Sequence, residues 1–340
     1  MYYSSYLKLD SITNSQKMVS EIHDEHLFII IHQAYELWFK QLRFELDSII
    51  LKFQLIPLPD TELLVIYNRL ERCRRIWELL IDQVKIIESM TPMDFLDFRH
   101  HLYPASGFQS VQFRQLEIMM GIDESDRSPE ENRLFNLRLE LEDQNIVHNQ
   151  LKKESLFRVV NDWLARMPLL NGVRDIYWID YKKMIYGLLE KDKNAIKNHP
   201  HLNEQQKKQE LENIDTQMRS VDQLFDEKSY NALLVNKEMK FSQDAILSAL
   251  YIYLHRNEPL FQLPFNILNL ITESDLLMTQ WRQKHALLAQ RMLGKKIGTG
   301  GSSGHEYLMK MANKNRPYLD LIKLSNYLLP TSLIPKMKKI

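Results

Sequence analysis

Apolar residues recur every three or four positions through five long stretches of this chain, and this periodicity limits its fold more than any other feature. The stretches cover residues 24–54, 61–90, 130–166, 175–225 and 242–256. Only nine of the 340 residues are glycine, and hardly any of them interrupt these stretches. Within these stretches there is hardly an alternating apolar and polar run of the kind that predicts a strand. The sequence therefore predicts an all-α protein built as a helical bundle.

Proline and glycine mark the predicted ends of these helices. The marks are Pro57 and Pro59, Thr91 and Pro92, Tyr103 to Gly107, Pro168 to Gly172, and Pro259 to Pro264. None of these marks has the composition of a flexible linker, so residues 1–340 are predicted to form a single domain. The stretch from about 190 to 225 is rich in lysine, glutamate and glutamine but keeps sparse helical spacing. It predicts a charged helical excursion from the body of the domain.

Charge balance and cysteine content set limits on the partners and the compartment. Forty-four basic and forty-four acidic residues cancel, so no global field attracts nucleic acid or an anionic membrane. The longest apolar runs fall short of the roughly 18 residues that span a bilayer, and the first residues lack the layout of a signal peptide. The lone Cys73 excludes an intrachain disulfide and fits a reducing compartment. We therefore expect a cytoplasmic protein with no nucleic-acid or membrane partner.

Five of the nine glycines lie in the eleven residues from Gly294 to Gly304. The P-loop motif ends in glycine, lysine and then serine or threonine, and no lysine follows a glycine in this way here. A dinucleotide-binding loop would need a third glycine where Ser303 stands. Two interpretations stay open. The segment is either a loop that covers a ligand, with Thr299 among its hydrogen-bonding groups, or a helix C-cap followed by an ordinary turn.

A single histidine lies in the middle of an apolar helical stripe before this segment. The stripe follows two candidate N-caps, Thr272 and Ser274. Its members recur at spacings of four, four, three and four, and they are Leu277, Trp281, His285, Leu288 and Met292. A lone histidine on an apolar face is usually a hydrogen-bonded core residue. Haem iron needs the same arrangement, with one imidazole on an apolar wall, so both interpretations of His285 stay open on spacing alone.

A second histidine lies on an aromatic helix face near the start of the chain. The residues that share this face are Glu25, Phe28, His32, Tyr35 and Phe39. Their spacing directs His32 inward. The chain has no repeated Glu-x-x-His pairs typical of a di-iron bundle and no zinc-binding histidine pair four residues apart. A buried, hydrogen-bonded imidazole remains the alternative to a functional role for His32.

The segment from Asp94 to Arg114 contains two arginines that are candidates for binding anions. Arg99 lies among Phe95, Phe98 and Leu102, where a guanidinium suits a carboxylate and an ordinary salt bridge is the alternative. Ser106 to Ser110 predicts a turn and the start of a helix. Arg114 follows within reach of a second anion.

Taken together, these blocks resemble the tryptophan 2,3-dioxygenase family. The matching blocks are His23 to Phe39, Phe98 to Ser110, Gly298 to Gly304, Leu324 to Pro330 and Ile334 to Met337. The resemblance runs from Tyr3 to about Met337. It implies an all-helical enzyme with one haem b per subunit, and a cytoplasmic homotetramer. It also implies a reaction that inserts both atoms of O2 across the indole C2–C3 bond of L-tryptophan to give N-formylkynurenine.

The resemblance implies roles for individual residues at the haem. His285 matches the proximal ligand of the iron. Trp281 and Arg114 match positions near the haem, and Ser106 matches a hydroxyl beside both the haem and the substrate.

Other residues are implied at the substrate. His32 matches the catalytic distal histidine, which faces the indole N–H. Arg99 matches the arginine that binds the substrate carboxylate, and Thr299 matches the threonine that holds the ammonium and carboxylate. Phe28 and Phe95 match apolar walls of the indole pocket.

The resemblance also implies a role for the amino-terminal segment. Tyr3, Tyr6 and Leu7 match residues that complete the pocket of a neighbouring subunit. Two alternative functions stay open: a homologous haem oxygenase for a modified indole, and a haem-binding sensor without turnover.

Overall fold

The computed structural model describes residues 1–127, 131–132, 139–167, 174–294 and 304–336. All regular elements in these ranges are helices, so the all-α prediction is confirmed for this part of the chain. The α-helices, numbered in chain order, are α1 Tyr3–Leu7, α2 Leu9–Thr13, α3 His23–Phe53, α4 Asp60–Ile87, α5 Pro92–Arg99, α6 Val111–Met120, α7 Leu141–Leu151, α8 Leu156–Ala165, α9 Arg174–Lys197, α10 Glu204–Phe225, α11 Glu227–Val235, α12 Gln243–Leu254, α13 Pro259–Leu293, α14 Gly304–Lys314 and α15 Leu319–Lys323. Within the same ranges, none of the helices combines the length and the apolar character needed to cross a membrane.

The chain divides into two compact units. The first comprises Met1–Pro57, Leu64–Phe157 and Glu273–Pro317, and the second comprises Leu58–Leu63, Arg158–Thr272 and Tyr318–Ile340. Two long helices, α4 and α13, begin in residues of the second unit and continue into residues of the first. The single domain over residues 1–340 stays a prediction.

In the first unit, helix α3 buries one face along its whole length. The buried side chains include Tyr35, Phe39, Leu42, Leu46 and Ile49. Their spacing of three or four residues is that of a helix with one face in a core. The Tyr35 hydroxyl donates to the Leu80 carbonyl of α4 at 3.3 Å. Buried Glu45 accepts from Arg72 of α4 at 2.7 Å, so the carboxylate is paired where burial would otherwise make it costly.

Helix α13 runs without a break from Pro259 to Leu293 and corrects two expectations. Pro264 lies inside the helix, so the predicted break from Pro259 to Pro264 is wrong. A proline in the second turn gives up one backbone hydrogen bond, and a helix of 35 residues keeps the others. Thr272 and Ser274 are not N-caps. The Thr272 hydroxyl donates to the Asn269 carbonyl at 2.8 Å within the helix.

The long predicted stretch over residues 175–225 is two helices. Helix α9 ends at Lys197, and α10 begins after Asn203, whose side chain accepts from the Gln206 backbone N–H at 2.9 Å as a cap. Tyr186 donates to Asp222, and Lys193 pairs with Asp215 at 2.7 Å. The later residue of α9 in these two pairs contacts the earlier residue of α10. The two helices are therefore antiparallel. The end of α9 and all of α10 cover the stretch predicted as a charged excursion. The stretch over residues 130–166 is also divided, because α7 ends at Leu151 and α8 begins at Leu156.

In the second unit, helix α12 is buried on almost every side. Ser242 caps it by accepting from the Ala245 backbone N–H at 3.3 Å, and the residues from Ala245 to Ile252 are all buried. A helix that is apolar all round belongs inside a core. His255 follows the helix and is 7% exposed, and its Nε2 shares a hydrogen bond of 2.8 Å with the Tyr177 hydroxyl. Burial lowers the pKa of His255 from 6.5 to about 4.

We expect His255 to make the protein less stable in acid. In the unfolded chain the imidazole gains its proton below about pH 6.5, whereas in the folded chain it stays neutral down to about pH 4. Acid in this window therefore favours the unfolded state, by up to about 1.4 kcal/mol for each pH unit. Urea unfolding at pH 7.5 and pH 5 should show a smaller loss of stability in His255→Gln than in the wild type. Equal losses in the two proteins would contradict this assignment.

A glycine in the first unit is required by its backbone and by its neighbour. Gly121 ends α6 with a φ of 112°, and a Cβ at this position would lie 2.3 Å from the Phe157 Cβ. Gly121→Ala should therefore destabilise the protein by roughly 2–5 kcal/mol, from the left-handed backbone and the overpacked contact together. Gly187 in α9 is the matched control, because nothing lies within 4 Å of its added Cβ. Gly187→Ala should stabilise by about 0.5–1 kcal/mol. Equal urea midpoints for the two variants would contradict the argument.

Candidate active site

A cavity of about 680 Å³ lies within the first unit. Its volume is in the range of roughly 300–1,000 Å³ typical of small-molecule and cofactor sites. Helices α3, α4, α5, α6, α13 and α14 contribute to its walls, together with the segment between α5 and α6. Eight of the twelve predicted site residues line this cavity: Phe28, His32, Phe95, Arg99, Ser106, Arg114, Trp281 and His285.

Helix α3 presents His32 to the cavity in a defined protonation state. The ring Nδ1 lies 2.7 Å from the Phe28 carbonyl oxygen one turn earlier. Since a carbonyl only accepts, Nδ1 carries the hydrogen and donates it. Burial lowers the pKa of His32, against the smaller opposing effects of this hydrogen bond and of Glu36. The imidazole is therefore neutral at pH 7, and its Nε2 is an acceptor.

Helix α5 places Arg99 and Phe95 on the same face. Thr91 and Asp94 form a capping box that fixes the start of this eight-residue helix. Phe95 and Arg99 are four residues apart, so their side chains lie one above the other. Phe95 stacks on Phe28 with ring centroids 5.8 Å apart. Arg99 therefore shares its helix face with one of the two stacked rings, and both Arg99 and Phe95 line the cavity.

Helix α13 supplies the second imidazole of the cavity. The His285 ring stacks on Trp281, four residues earlier, with centroids 5.4 Å apart. Trp281 in turn contacts Phe113 of α6 and Tyr35 and Phe39 of α3, with centroids 4.9, 5.7 and 5.6 Å away. Burial lowers the pKa of His285 to about 4. The neutral imidazole is the form that binds metals, and the aromatic cluster holds its orientation.

Helix α6 is anchored on α3 through a carboxylate. Helix α6 begins directly after the predicted turn from Ser106 to Ser110, and the Ser110 hydroxyl caps it by accepting from the Phe113 backbone N–H at 3.2 Å. The same hydroxyl donates to Glu36 at 2.6 Å, and Gln112 donates to Glu36 at 3.0 Å. This anchor positions Arg114, which is buried and follows one turn after the cap. Ser106 lies in the turn before it, where its backbone N–H donates to Gln109 at 2.8 Å.

Sequence reasoning missed part of the polar wall. Arg282 is buried, and it donates to Glu117 at 2.6 Å and to the Asn315 carbonyl at 3.1 Å. Arg127 lies 3.7 Å from the same glutamate. Helical spacing contained a usable signal, because Arg282 is three residues before His285 and Glu117 is three residues after Arg114. Four arginines and two glutamates line the cavity among the described residues: Arg99, Arg114, Arg127, Arg282, Glu36 and Glu117.

Three of the predicted site residues lie elsewhere, and a fourth is not among the described residues. Tyr3, Tyr6 and Leu7 form the exposed helix α1, and none of them lines the cavity of their own chain. Thr299 lies outside the described residues, and so does most of the glycine-rich segment. His305, at the start of α14, bonds through Nδ1 to the Ala286 carbonyl at 3.0 Å, next to His285.

Comparison with known proteins matches the whole chain to one family. A sequence model described as tryptophan 2,3-dioxygenase matches residues 1–328. A tryptophan 2,3-dioxygenase from Alteromonas mediterranea is 42% identical, over 99% of this chain and 94% of the relative. Those from Bdellovibrio bacteriovorus and Rattus norvegicus are 41% and 40% identical, over 100% of this chain and 96% and 85% of the relatives. The chain therefore belongs to the tryptophan 2,3-dioxygenase family.

Proposed function

We propose that this protein is a haem-dependent dioxygenase that inserts both atoms of O2 across the indole C2–C3 bond of L-tryptophan and releases N-formylkynurenine. Membership of the family supports the reaction. The observation that carries the proposal is the cavity of about 680 Å³, which two neutral imidazoles and the Arg99 guanidinium all line.

The residues present fit a haem b. His285 offers a neutral imidazole on a wall of apolar and aromatic side chains and would hold the haem iron. Three arginines besides Arg99 line the cavity against two glutamates, and this formal excess of one positive charge suits the negative charge of the haem propionates. Arg114 and Trp281 would lie beside the macrocycle, and Ser106 would lie beside both the macrocycle and the substrate. When bound, the haem iron would supply the oxygen chemistry.

The rest of the cavity suits an aromatic amino acid. Phe28 and Phe95 stack to form an apolar wall, which would hold the indole ring and exclude water. Arg99 would bind the carboxylate through charge-assisted hydrogen bonds, each worth roughly 1.5–3 kcal/mol. From the resemblance, we assign Thr299 to the ammonium and carboxylate. Recognition at both ends would select tryptophan over free indole.

His32 would orient the indole as a hydrogen-bond acceptor. Nδ1 donates its hydrogen to the Phe28 carbonyl oxygen, so Nε2 is the nitrogen that would accept from the indole N–H. The hydrogen bond on Nδ1 also fixes the rotation of the ring. We therefore assign His32 as the catalytic residue that positions the substrate, and this role does not require it to remove a proton.

We further propose that the protein is a cytoplasmic homotetramer and that its whole chain acts as one domain. Tyr3, Tyr6 and Leu7 lie outside their own cavity, and the two tyrosines are 76% and 68% exposed. Exposed tyrosines suit a contact with another chain, since their rings are apolar and their hydroxyls bond. In this proposal α1 completes the pocket of a neighbouring subunit.

Turnover of L-tryptophan by the haem-loaded protein tests the proposed function. Formation of N-formylkynurenine is followed by its near-ultraviolet absorbance in air-saturated buffer. L-Tryptophan should be turned over faster than any substituted indole in a panel. A faster reaction with a substituted indole would favour an oxygenase of secondary metabolism, and haem binding without turnover of any indole would favour a sensor.

A further inference from the structure

Arg282 joins three helices next to the residue that we assign to the haem iron. It lies in α13, three residues before His285, and it is 5% exposed. One terminal nitrogen of its guanidinium donates to the Glu117 carboxylate of α6 at 2.6 Å, and the other donates to the Asn315 carbonyl at 3.1 Å. Asn315 directly follows α14. A single planar group therefore ties α13 to two other helices.

Both partners of Arg282 suit a guanidinium. The Glu117 side chain is only 12% exposed, so its carboxylate needs a partner of opposite charge. The Asn315 carbonyl lies at the end of a helix, where the last carbonyls have no partner within the helix and form the negative end of its dipole. A lysine has one ammonium and lacks the rigid fork that reaches two partners at once. The bridge therefore depends on the shape of arginine as well as on its charge.

Arg282 also contacts the aromatic cluster that orients His285. Its guanidinium carbon lies 5.7 Å from the centroid of the Phe113 ring, within the distance of a cation–π contact. The centroids of Phe113 and Trp281 are 4.9 Å apart, and Trp281 stacks on His285 at 5.4 Å. Contacts therefore run from the guanidinium through two aromatic rings to the imidazole.

Two further contacts fasten α14 to the same part of α13. Gln283 donates to the Asn313 side chain at 3.0 Å, and His305 donates through Nδ1 to the Ala286 carbonyl at 3.0 Å. Both contacts lie within two residues of the proposed haem ligand. Helix α14 is therefore fastened to the segment of α13 that carries this ligand, and the guanidinium bridge extends the fastening to α6.

We propose that Arg282 is a positioning residue for the haem ligand. It bridges α6 and α14, and through the rings of Phe113 and Trp281 it holds the orientation of His285. The inference rests on the proposed function, in which this imidazole holds the haem iron. Because Arg282 acts only through other residues, its loss should change haem binding and kcat and leave the KM for L-tryptophan nearly unchanged.

Arg282→Lys tests the bridge in the full-length protein, because lysine keeps a charge for Glu117 and loses the second prong to the Asn315 carbonyl. Haem affinity should fall by about 10-fold, the lower end of the range for residues that orient metal ligands. The iron–histidine stretching band of the ferrous protein, measured by resonance Raman spectroscopy, should shift or broaden. Arg291→Gln is the matched control, because Arg291 lies in the same helix and donates to the Glu88 carbonyl at 2.8 Å. This control should keep the wild-type affinity and band.

Circular dichroism and urea unfolding check that both variants are folded. A folded Arg282→Lys variant with the wild-type haem affinity and the wild-type band would overturn the proposal. The kinetic split is the third readout, since a lower kcat at an unchanged KM reports on the reacting centre and not on substrate binding. A raised KM at an unchanged kcat would place Arg282 at the substrate and would also overturn it.

A double-mutant cycle tests the path through Phe113. Phe113→Leu removes the ring that contacts both the guanidinium and Trp281. If Arg282 acts through this ring, the fold-loss of haem affinity in the double variant should be smaller than the product of the two single losses. Independent losses, which multiply, would give Arg282 a separate structural role and contradict the proposed path.

Hydrogen exchange measures the bridge without turnover and without haem. The backbone amides of α14 should exchange faster in Arg282→Lys than in the wild type, in haem-loaded and in haem-free protein, because the end of the helix is less firmly held. Arg291→Gln should leave this exchange unchanged. A wild-type protein that binds haem and shows these effects without turning over tryptophan would keep the inference and lose the dioxygenase assignment. Unchanged exchange in α14 of Arg282→Lys, in an active enzyme, would overturn the bridge and leave the reaction in place.

Discussion

Replacement of His285 by alanine is expected to leave a folded protein that no longer binds haem stably. In our proposal this imidazole would hold the haem iron, and it lines the cavity beside aromatic side chains. Loss of a hydrogen bond to a metal ligand alone typically costs about 10–100-fold in affinity. Loss of the ligand itself should therefore lower haem affinity by more than about 100-fold. Titration of apo-protein with haem, followed by absorbance, measures the change.

Two controls separate ligation from folding in this experiment. His32→Ala removes the other imidazole of the cavity and should keep haem binding, because that ring is assigned to the substrate. Added imidazole should restore the ferrous spectrum in His285→Gly, where the missing side chain leaves room for it. A His285→Ala variant with the wild-type ferrous spectrum would place the iron ligand elsewhere.

Replacement of Arg99 by leucine should raise the KM for L-tryptophan sharply. The guanidinium forms hydrogen bonds to the substrate carboxylate in our proposal, and a bond of this kind contributes roughly 1.5–3 kcal/mol. This corresponds to an increase in KM of roughly 10- to 100-fold. Haem affinity should stay near the wild-type value, because our proposal assigns Arg99 to the substrate carboxylate and not to the haem. Steady-state kinetics at saturating oxygen measure the effect.

Tryptamine is the matched substrate for this test, because it keeps the indole and the amine and lacks the carboxylate. If Arg99 binds the carboxylate, Arg99→Leu should change the kinetics of tryptamine little. Arg99→Lys should recover part of the tryptophan affinity, since lysine keeps the charge and loses the two-pronged geometry. If Arg99→Leu impaired the turnover of tryptophan and tryptamine equally, Arg99 would support the structure of the site and would not bind the carboxylate.

Periodicity predicted the longer helices, because a helix such as α3 buries one face at helical spacing. It did not predict α1 and α2, which bury no residue. Capping chemistry was less informative where tertiary packing prevailed. Thr272 and Ser274 have the residue types of N-caps, but they lie inside α13, which also tolerates Pro264. A rule based on local sequence cannot predict that tertiary packing stabilises a long helix through such residues.

For the site, helical spacing grouped residues of one element, but it could not bring separate elements together. The faces that carry Phe28 and His32, and Phe95 and Arg99, follow from spacings of four. That α3, α5 and α13 meet at one cavity is a tertiary fact, and the match to the family supplied it in advance. Arg127 and its contact with Glu117 had no local signal, since the two residues approach each other through the fold.

The most direct test of the central claim is turnover of L-tryptophan by the haem-loaded protein under isotopically labelled dioxygen, followed by mass spectrometry of the product. The proposed reaction predicts N-formylkynurenine in which both new oxygen atoms carry the label. A product with only one labelled atom, the other coming from water, would contradict it.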